Sequence, residues 1–178
     1  DRALTGFGWA MGPFAVSDLA GLDISWRNRL KNAATRDPAV RYPSTVADRL
    51  CEMERFGRKT NGGFYDYADG NAKPSPLVEK LVLDVAKEKG IARKTFSDED
   101  ILTRVLATMI NEAARILDEG IALRASDIDL VEVHGYGFPR HRGGVTFHAD
   151  VMGLSNVLKQ VEALHAALGK GYEPSALL

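Results

Sequence analysis

The sequence predicts an all-α protein, for two reasons. Apolar residues recur at helical spacing in several long stretches, each of which lies between an N-capping residue and a terminating glycine. Patterns typical of strands are confined to residues 64–67 and 128–133. The composition agrees with a globular domain, because 45% of the 178 residues are hydrophobic, 26% are charged and the net charge is −1. This charge gives no bulk attraction to nucleic acids or anionic membranes.

Four helices are predicted from their first residues. Each begins at a serine, whose hydroxyl can accept a hydrogen bond from the backbone of the first helical turn. The longest helix has Ser97 at its start, acidic residues in its first turn and Gly120 at its end, with one broad apolar stripe between them. The four serines are Ser44, Ser75, Ser97 and Ser155.

Cysteine content and hydropathy exclude several classes of protein. Cys51 is the one cysteine of the chain, so the sequence contains neither a disulfide framework nor a cysteine-based zinc site. Its apolar neighbours Leu50, Met53 and Phe56 place it most simply in a hydrophobic core. No apolar run approaches the ~18–20 residues that span a bilayer.

An internal repeat relates the two ends of the sequence. Segments 6–9 and 135–138 match at an offset of 129 residues, and after a three-residue insertion segments 12–22 and 144–154 match at an offset of 132. The pattern predicts a tandem duplication of a helical unit. The next pair, Asp23 and Ser155, is expected to cap the helices that follow. The matched pairs at the offset of 132 are Gly12 and Gly144, Asp18 and Asp150, Gly21 and Gly153, and Leu22 and Leu154.

The repeat divides the chain and implies a further helix. Residues 69–74 are polar and rich in glycine and proline, so we place a boundary there, with the remainder of a first helical repeat in 1–68 and a second repeat in 69–178. The long helix after Ser97 precedes the second copy, whereas the first copy starts at Asp1. We therefore expect a helix of roughly three turns or more upstream of Asp1, and we expect the chain to be part of a longer polypeptide.

The polar and glycine-rich motifs form no recognisable catalytic set. Segments 6–12 and 128–137 resemble a dinucleotide-binding glycine loop only in part, and turns between packed helices are the stronger interpretation. The segment 140–142 could hold a phosphate, although a solvated loop explains it better. Three histidines recur every seven residues, but the glycines and proline between them break any helix that would align them as metal ligands. They are His134, His141 and His148.

Three segments together resemble one family. Residues 11–23 resemble the M-G-P-F-x-x-x-D-x-x-G-L-D signature of the C-terminal domain of 3-hydroxyacyl-CoA dehydrogenases. Residues 56–67 are similar to the F-G-x-K-T-G-x-G-F-Y-x-Y segment of the same family, with Asn61 in place of a glycine. Residues 134–144 resemble the H-G-x-G-F-P-x-x-R-G-G motif of a second helical repeat, with Val145 where a proline usually follows. That repeat occurs in multifunctional enzymes of fatty-acid β-oxidation, which fuse enoyl-CoA hydratase to the dehydrogenase.

The resemblance implies a fold and an activity. The fold is a pair of tandem helical repeats of the 6-phosphogluconate dehydrogenase C-terminal-like type, here with the first repeat truncated at its N-terminus. The family oxidises L-3-hydroxyacyl-CoA to 3-ketoacyl-CoA and passes a hydride to NAD. Its catalytic His–Glu pair and its cofactor loop belong to an upstream Rossmann domain, so this chain alone is expected to be inactive and to carry no catalytic, cofactor-binding or metal-binding residue. A helper asparagine of the family lies on the long helix before the M-G-P-F segment. The counterpart of that helix in the second copy holds Asn111, although equivalence in the repeat does not by itself place Asn111 at the active site.

The resemblance also implies a substrate surface. The M-G-P-F turn of the family faces the acyl end of the substrate, which makes Met11, Pro13, Phe14 and Leu19 candidates for an apolar acyl-chain wall. The alternative for Pro13 is a first helical residue, and for Phe14 and Leu19 it is a place in the core.

Partners and location follow from the same resemblance. The expected partners are the upstream Rossmann domain, acyl-CoA, a second copy of the chain and a thiolase subunit. The expected location is the bacterial cytoplasm, with the peroxisome as the alternative. A non-catalytic helical interaction or oligomerisation module is the second functional hypothesis. A third is a dehydrogenase of the wider superfamily with another hydroxy acid as substrate, which the H-G-x-G-F-P motif disfavours.

Overall fold

A computed structural model describes residues 1–40, 42 and 44–178, and these residues fold mainly into α-helices. The prediction of an all-α class is confirmed. The helices are α1 Arg2–Phe7, α2 Pro13–Ala20, α3 Leu22–Lys31, α4 Thr45–Glu52, α5 Pro76–Glu88, α6 Asp98–Asp118, α7 Ala125–Gly135, α8 Val145–Met152 and α9 Leu154–Leu168. Two short antiparallel strands, β1 Tyr65–Asp66 and β2 Lys73–Pro74, pair with Tyr65 opposite Pro74.

The chain folds into two compact units. The first unit comprises Asp1, Met11–Pro38 and Tyr42–Thr95, and the second comprises Arg2–Ala10, Ala39–Arg41 and Phe96–Leu178. Residues 69–74, which were predicted to separate two repeats, lie inside the first unit, where β2 pairs with β1. The duplication and its boundary stay predictions.

The first unit packs α3, α4 and α5 around an aliphatic core. Leu50 and Cys51 of α4 are completely buried there, which agrees with the core position expected for the cysteine. Burial of the thiol raises the pKa of Cys51 to about 11, so the group stays protonated at neutral pH. The other buried members of this core are Leu22, Val78, Leu81 and Val85.

The second unit is built around α6. This helix has the predicted capping box, in which Asp100 N–H donates to Ser97 Oγ at 3.0 Å and Ser97 N–H donates to the Asp100 carboxylate at 2.9 Å. Its apolar stripe packs against α1, α8 and α9. The buried core residues are Phe7, Leu106, Ala107, Ile110, Ala113, Ile128, Phe138, Val145, Ala149, Val157, Val161 and Leu164.

Two local predictions are wrong. Residues 128–133, predicted as a strand, belong to α7, because apolar side chains lie on several sides of this helix and hide its period. Asp23 and Ser155, predicted as N-caps, instead lie in the first turns of α3 and α9. The N-cap residues of these helices are glycines whose positive φ angles allow a sharp turn from the preceding helix.

Candidate functional site

An open groove of about 1070 Å³ lies in the first unit. Its walls come from α2, α3, α4 and α5, and most of its surface is apolar. Hydroxyl groups of Ser17 and Ser25 and the guanidinium of Arg29 add polar positions along the α2–α3 side. The apolar lining residues include Pro13, Phe14, Ala20, Val46, Phe64, Val78 and Val82.

Two of the four predicted acyl-wall residues line this groove. Pro13 begins α2 and Phe14 follows it, with its ring centroid 4.6 Å from that of Phe64 and 48% of its surface exposed. Met11 and Leu19 are not among the lining residues, although Leu19 is 56% exposed. The acyl-wall role of all four stays a prediction.

Asp1 fixes the start of α2, where the M-G-P-F turn lies. Its carboxylate accepts hydrogen bonds from Phe14 N–H at 2.9 Å, from Ala15 N–H at 3.0 Å and from the Tyr65 hydroxyl at 2.9 Å. A carboxylate at a helix N-terminus satisfies free N–H groups and complements the helix dipole. The turn is therefore held in one position against the β1 segment.

Asp18 joins α2 to the segment 56–67. Its buried carboxylate accepts hydrogen bonds from Phe64 N–H at 2.9 Å, Tyr65 N–H at 3.0 Å and the Tyr67 hydroxyl at 3.0 Å. A side chain at Gly63 would overlap this carboxylate. The segment 56–67 is thus held in place by hydrogen bonds to the Asp18 carboxylate. The matching Asp150 of the second unit is exposed instead.

Lys59 of the same segment pairs with the buried Asp23 of α3. The hydrogen bond from Lys59 lowers the pKa of Asp23, and the nearby Arg27, 3.4 Å away, acts in the same direction. This ion pair ties the start of α3 to the segment 56–67.

The basic segment 140–142 belongs to an aromatic cluster in the second unit. The Arg142 guanidinium lies over the Phe7 ring at 3.8 Å from its centroid, and its Nε donates to the Phe7 carbonyl at 3.1 Å. Arg142 therefore stabilises the end of α1. Among the residues that the structure describes, no group of three or more His, Cys, Asp and Glu side chains could hold a metal ion.

His148 of α8 packs its ring against Phe7 and Phe138, and burial together with the nearby Arg142 lowers the pKa of the imidazole. The unfolded chain, with an ordinary histidine pKa of about 6.5, then binds a proton more readily than the native chain. The unfolding free energy of the second unit is expected to fall as the pH falls from the histidine pKa of the unfolded chain to the lower pKa of His148 in the native chain. Urea denaturation at several pH values measures the slope, which His148→Gln should flatten. An equal slope in the variant would contradict this origin.

The two glycine motifs do not fit a dinucleotide. Gly8 follows the C-terminal end of α1 and Gly137 follows that of α7, both with positive φ. A phosphate is held by free N–H groups at a helix N-terminus, whereas carbonyl groups are free at a C-terminus. Segment 6–12 does reach the N-terminus of α2, but there the N–H groups of Phe14 and Ala15 donate to the Asp1 carboxylate. The apparent strand before Gly135 is a helix. These segments are therefore turns between helices.

Asn111 is buried in α6 of the second unit. Its Oδ1 accepts from Ser175 N–H at 2.8 Å and its Nδ2 donates to the Glu173 carbonyl at 2.9 Å. Both side-chain atoms thus hold the C-terminal segment in place.

The fold and the site together define a small helical domain with an open apolar groove. A sequence model described as "3-hydroxyacyl-CoA dehydrogenase, C-terminal domain" matches residues 1–67 and 101–178. The chain belongs to this family, which confirms the resemblance seen in the sequence.

Relatives and solved structures agree with this family assignment. The chain is similar to the "Peroxisomal bifunctional enzyme" of Danio rerio, with 42% identity over 100% of this chain and 27% of that protein. A "Peroxisomal fatty acid beta-oxidation multifunctional protein MFP2" of Arabidopsis thaliana is 33% identical over 100% of this chain and 25% of its own length. The dehydrogenase part of multifunctional enzyme 1 from C. elegans matches with a TM-score of 0.73 and 26% identity, over 99% of this chain and 40% of that one. The chain spans about a quarter of the length of the curated relatives.

The expected bacterial cytoplasmic location is wrong. The relatives are peroxisomal or glyoxysomal enzymes, which overturns the main expectation drawn from the sequence. In the part of the chain that the structure describes, no helix combines the length and hydropathy that membrane crossing requires.

Proposed function

We propose that this chain is the C-terminal part of an NAD-dependent L-3-hydroxyacyl-CoA dehydrogenase, where it encloses the substrate and serves domain packing and dimerisation. The parent is a multifunctional β-oxidation enzyme that also carries enoyl-CoA hydratase. The family match over both halves of the chain supports the dehydrogenase, and the names of the relatives support the multifunctional parent and a peroxisomal location.

The observation that carries the substrate-enclosing role is the M-G-P-F turn. Asp1 holds this turn in place, and the turn presents Pro13 and Phe14 at an open apolar groove. Exposed apolar side chains in a fixed arrangement are typical of a surface that a ligand or another domain covers. Met11, Pro13, Phe14 and Leu19 would contact the acyl chain of acyl-CoA.

The catalytic and cofactor-binding residues would lie outside this chain. Hydride transfer to NAD and proton transfer would be carried out by the upstream Rossmann domain, which would also bind the cofactor. The partners would be this domain, a second copy of the chain and a thiolase subunit. The chain alone is therefore expected to be inactive.

NADH oxidation by acetoacetyl-CoA tests this function. The assay is run with the chain alone, with the separately expressed upstream part of the parent, and with both together. Activity that requires both parts supports the proposal, whereas activity of the chain alone would show that catalytic residues lie within it. If both parts fold and the mixture shows no NADH oxidation, the non-catalytic interaction module becomes the better explanation.

The same mixture tests the acyl wall. Phe14→Ala is expected to raise KM for a long-chain 3-ketoacyl-CoA several-fold, with a smaller effect for acetoacetyl-CoA, because only the long chain reaches the lost ring. Val131→Ala removes a similarly exposed apolar side chain from α7 and serves as the matched control. Equal KM changes for the two variants would refute the wall.

A further inference from the structure

Asn61 and Gly62 form the one asparagine–glycine pair of the chain. The Asn61 side chain is exposed, and its backbone has the left-handed conformation, with φ of 56° and ψ of 15°. A glycine that follows an asparagine leaves its own backbone nitrogen unshielded, because glycine has no Cβ and restricts the backbone least. The pair therefore has the composition in which a backbone nitrogen most readily attacks an asparagine side chain.

We propose that Asn61 is a site of spontaneous deamidation, with a rate that is controlled by opening of the segment 56–67. The Gly62 nitrogen attacks Asn61 Cγ and forms a new C–N bond, the Cγ–Nδ2 bond breaks, and the side-chain nitrogen leaves as ammonia with the Gly62 amide proton. Water then opens the resulting succinimide ring. Cleavage of the new bond gives aspartate. Cleavage of the bond to the Asn61 backbone carbonyl carbon gives isoaspartate, in which the main chain runs through the side-chain carbons.

The closed segment holds the peptide group between Asn61 and Gly62 in a conformation that prevents this attack. A ψ of 15° nearly eclipses the Gly62 nitrogen with the Asn61 nitrogen, away from the side chain that it must reach. The Gly62 N–H donates to the Gly57 carbonyl at 3.1 Å, and the Asn61 carbonyl accepts from Tyr67 N–H at 3.0 Å. Both hydrogen bonds belong to the peptide group that must rotate, so both must break before the ring can close.

Opening of this peptide group is linked to Asp18. The Asp18 carboxylate accepts from the N–H groups of residues 64 and 65 and from the Tyr67 hydroxyl, and Tyr67 is the residue whose N–H holds the Asn61 carbonyl. Hydrogen bonds of this kind determine how often a segment of a native protein opens. When opening and closing are fast, a slow reaction of the open form proceeds in proportion to its population. The hydrogen bonds to Asp18 should therefore set the rate of deamidation.

The isoaspartate product should not close the segment again, because it lengthens the backbone immediately before two tightly packed glycines. A Cβ at Gly62 would lie 2.8 Å from Arg55 Nη1, and a side chain at Gly63 would overlap the Asp18 carboxylate. The modified chain is therefore expected to lose hydrogen-exchange protection at residues 57–67. This inference is independent of the proposed function, since its test contains neither acyl-CoA nor an upstream domain.

Peptide mapping by mass spectrometry measures the conversion of Asn61 while the purified chain is incubated in mildly alkaline buffer. Tyr67→Phe removes a single hydrogen bond to Asp18, and we expect Asn61 to react several-fold faster in this variant than in the unchanged chain. Asp18→Ala removes all three hydrogen bonds, and the expected acceleration is roughly tenfold or more. Circular dichroism establishes that each variant is folded before its rate is compared.

Three controls accompany these variants. Asp150→Ala removes an exposed carboxylate of the second unit and should leave the rate at Asn61 unchanged. Asn61→Gly supplies a residue that accepts the positive φ and has no side-chain amide, so it should end the release of ammonia from this site. A peptide of residues 55–73 also contains Asn71, which precedes an alanine and should react more slowly than Asn61 in the same peptide.

Three results would overturn the proposal. One is that Asn61 reacts no faster in the peptide of residues 55–73 than in the folded chain, because the closed segment would then give no protection. Another is an equal rate in the unchanged chain and in folded Tyr67→Phe, which would separate the reaction from the hydrogen bonds to Asp18. The third is undiminished release of ammonia from Asn61→Gly, since deamidation would then take place elsewhere in the chain.

Discussion

Asp18→Ala is expected to lower the unfolding free energy of the first unit by about 3 kcal/mol or more, because it leaves three hydrogen-bond donors without their acceptor. The variant leaves the N–H groups of Phe64 and Tyr65 and the hydroxyl of Tyr67 without their acceptor in a buried place. Each such group costs roughly 1–3 kcal/mol when it is left unsatisfied. Urea denaturation measures the loss, and hydrogen exchange should show that residues 57–67 lose protection first.

The sequence match at the offset of 132 residues supplies a matched control for this experiment. Asp150 has the corresponding position at the offset of 132, but its side chain is exposed. Asp150→Ala should therefore change stability by no more than about 0.5 kcal/mol, as is usual for surface substitutions. Similar losses for the two variants would mean that the buried hydrogen bonds of Asp18 do not explain its effect.

Local signals in the sequence were enough to predict much of the fold. Ser44, Ser75 and Ser97 stand at the N-cap positions of α4, α5 and α6. Of these three, only Ser97 caps its helix through its hydroxyl, so the positions were predicted better than the capping hydrogen bonds. The strand expected at 128–133 is wrong because apolar side chains on several sides of α7 hide its helical period. The role of Asp129 was missed as well, because its carboxylate accepts hydrogen bonds at the start of α8, 17 residues away.

The site was predictable only in part, because the relevant contacts are distant in sequence. The motifs 11–23 and 56–67 were recognised separately, whereas the hydrogen bonds that join them span 46 to 49 residues through Asp18. Of the four acyl-wall residues predicted from the family signature, Pro13 and Phe14 line the groove, whereas Met11 and Leu19 do not. The opposite wall of the groove, with Val46 and Val82, was missed, because an apolar helical stripe gives no indication of which members stay open to solvent.

Phe138→Ala is expected to destabilise the second unit by about 3–5 kcal/mol, the range for truncation of a buried phenylalanine. The Phe138 side chain is only 1% exposed. Its ring makes edge-to-face contacts with Trp9, at a centroid distance of 5.2 Å, and with Phe7, at 6.1 Å. The truncation therefore opens a cavity among aromatic rings and removes both ring contacts, each of which adds about 0.5–1.5 kcal/mol beyond the buried area.

A variant of Tyr136, two residues earlier in the same turn, serves as the matched control. Its side chain is 72% exposed, so Tyr136→Ala should change stability by about 0.5 kcal/mol or less. Phe138→Leu keeps most of the buried volume without the aromatic edge, and its loss should lie between those of the two alanine variants. Chemical denaturation in a Trp26→Phe background, where Trp9 is the one remaining tryptophan, ranks the three proteins by the near-ultraviolet signal of the second unit. If Tyr136→Ala proved as destabilising as Phe138→Ala, the turn would owe its stability to backbone conformation, because buried aromatic packing distinguishes only Phe138.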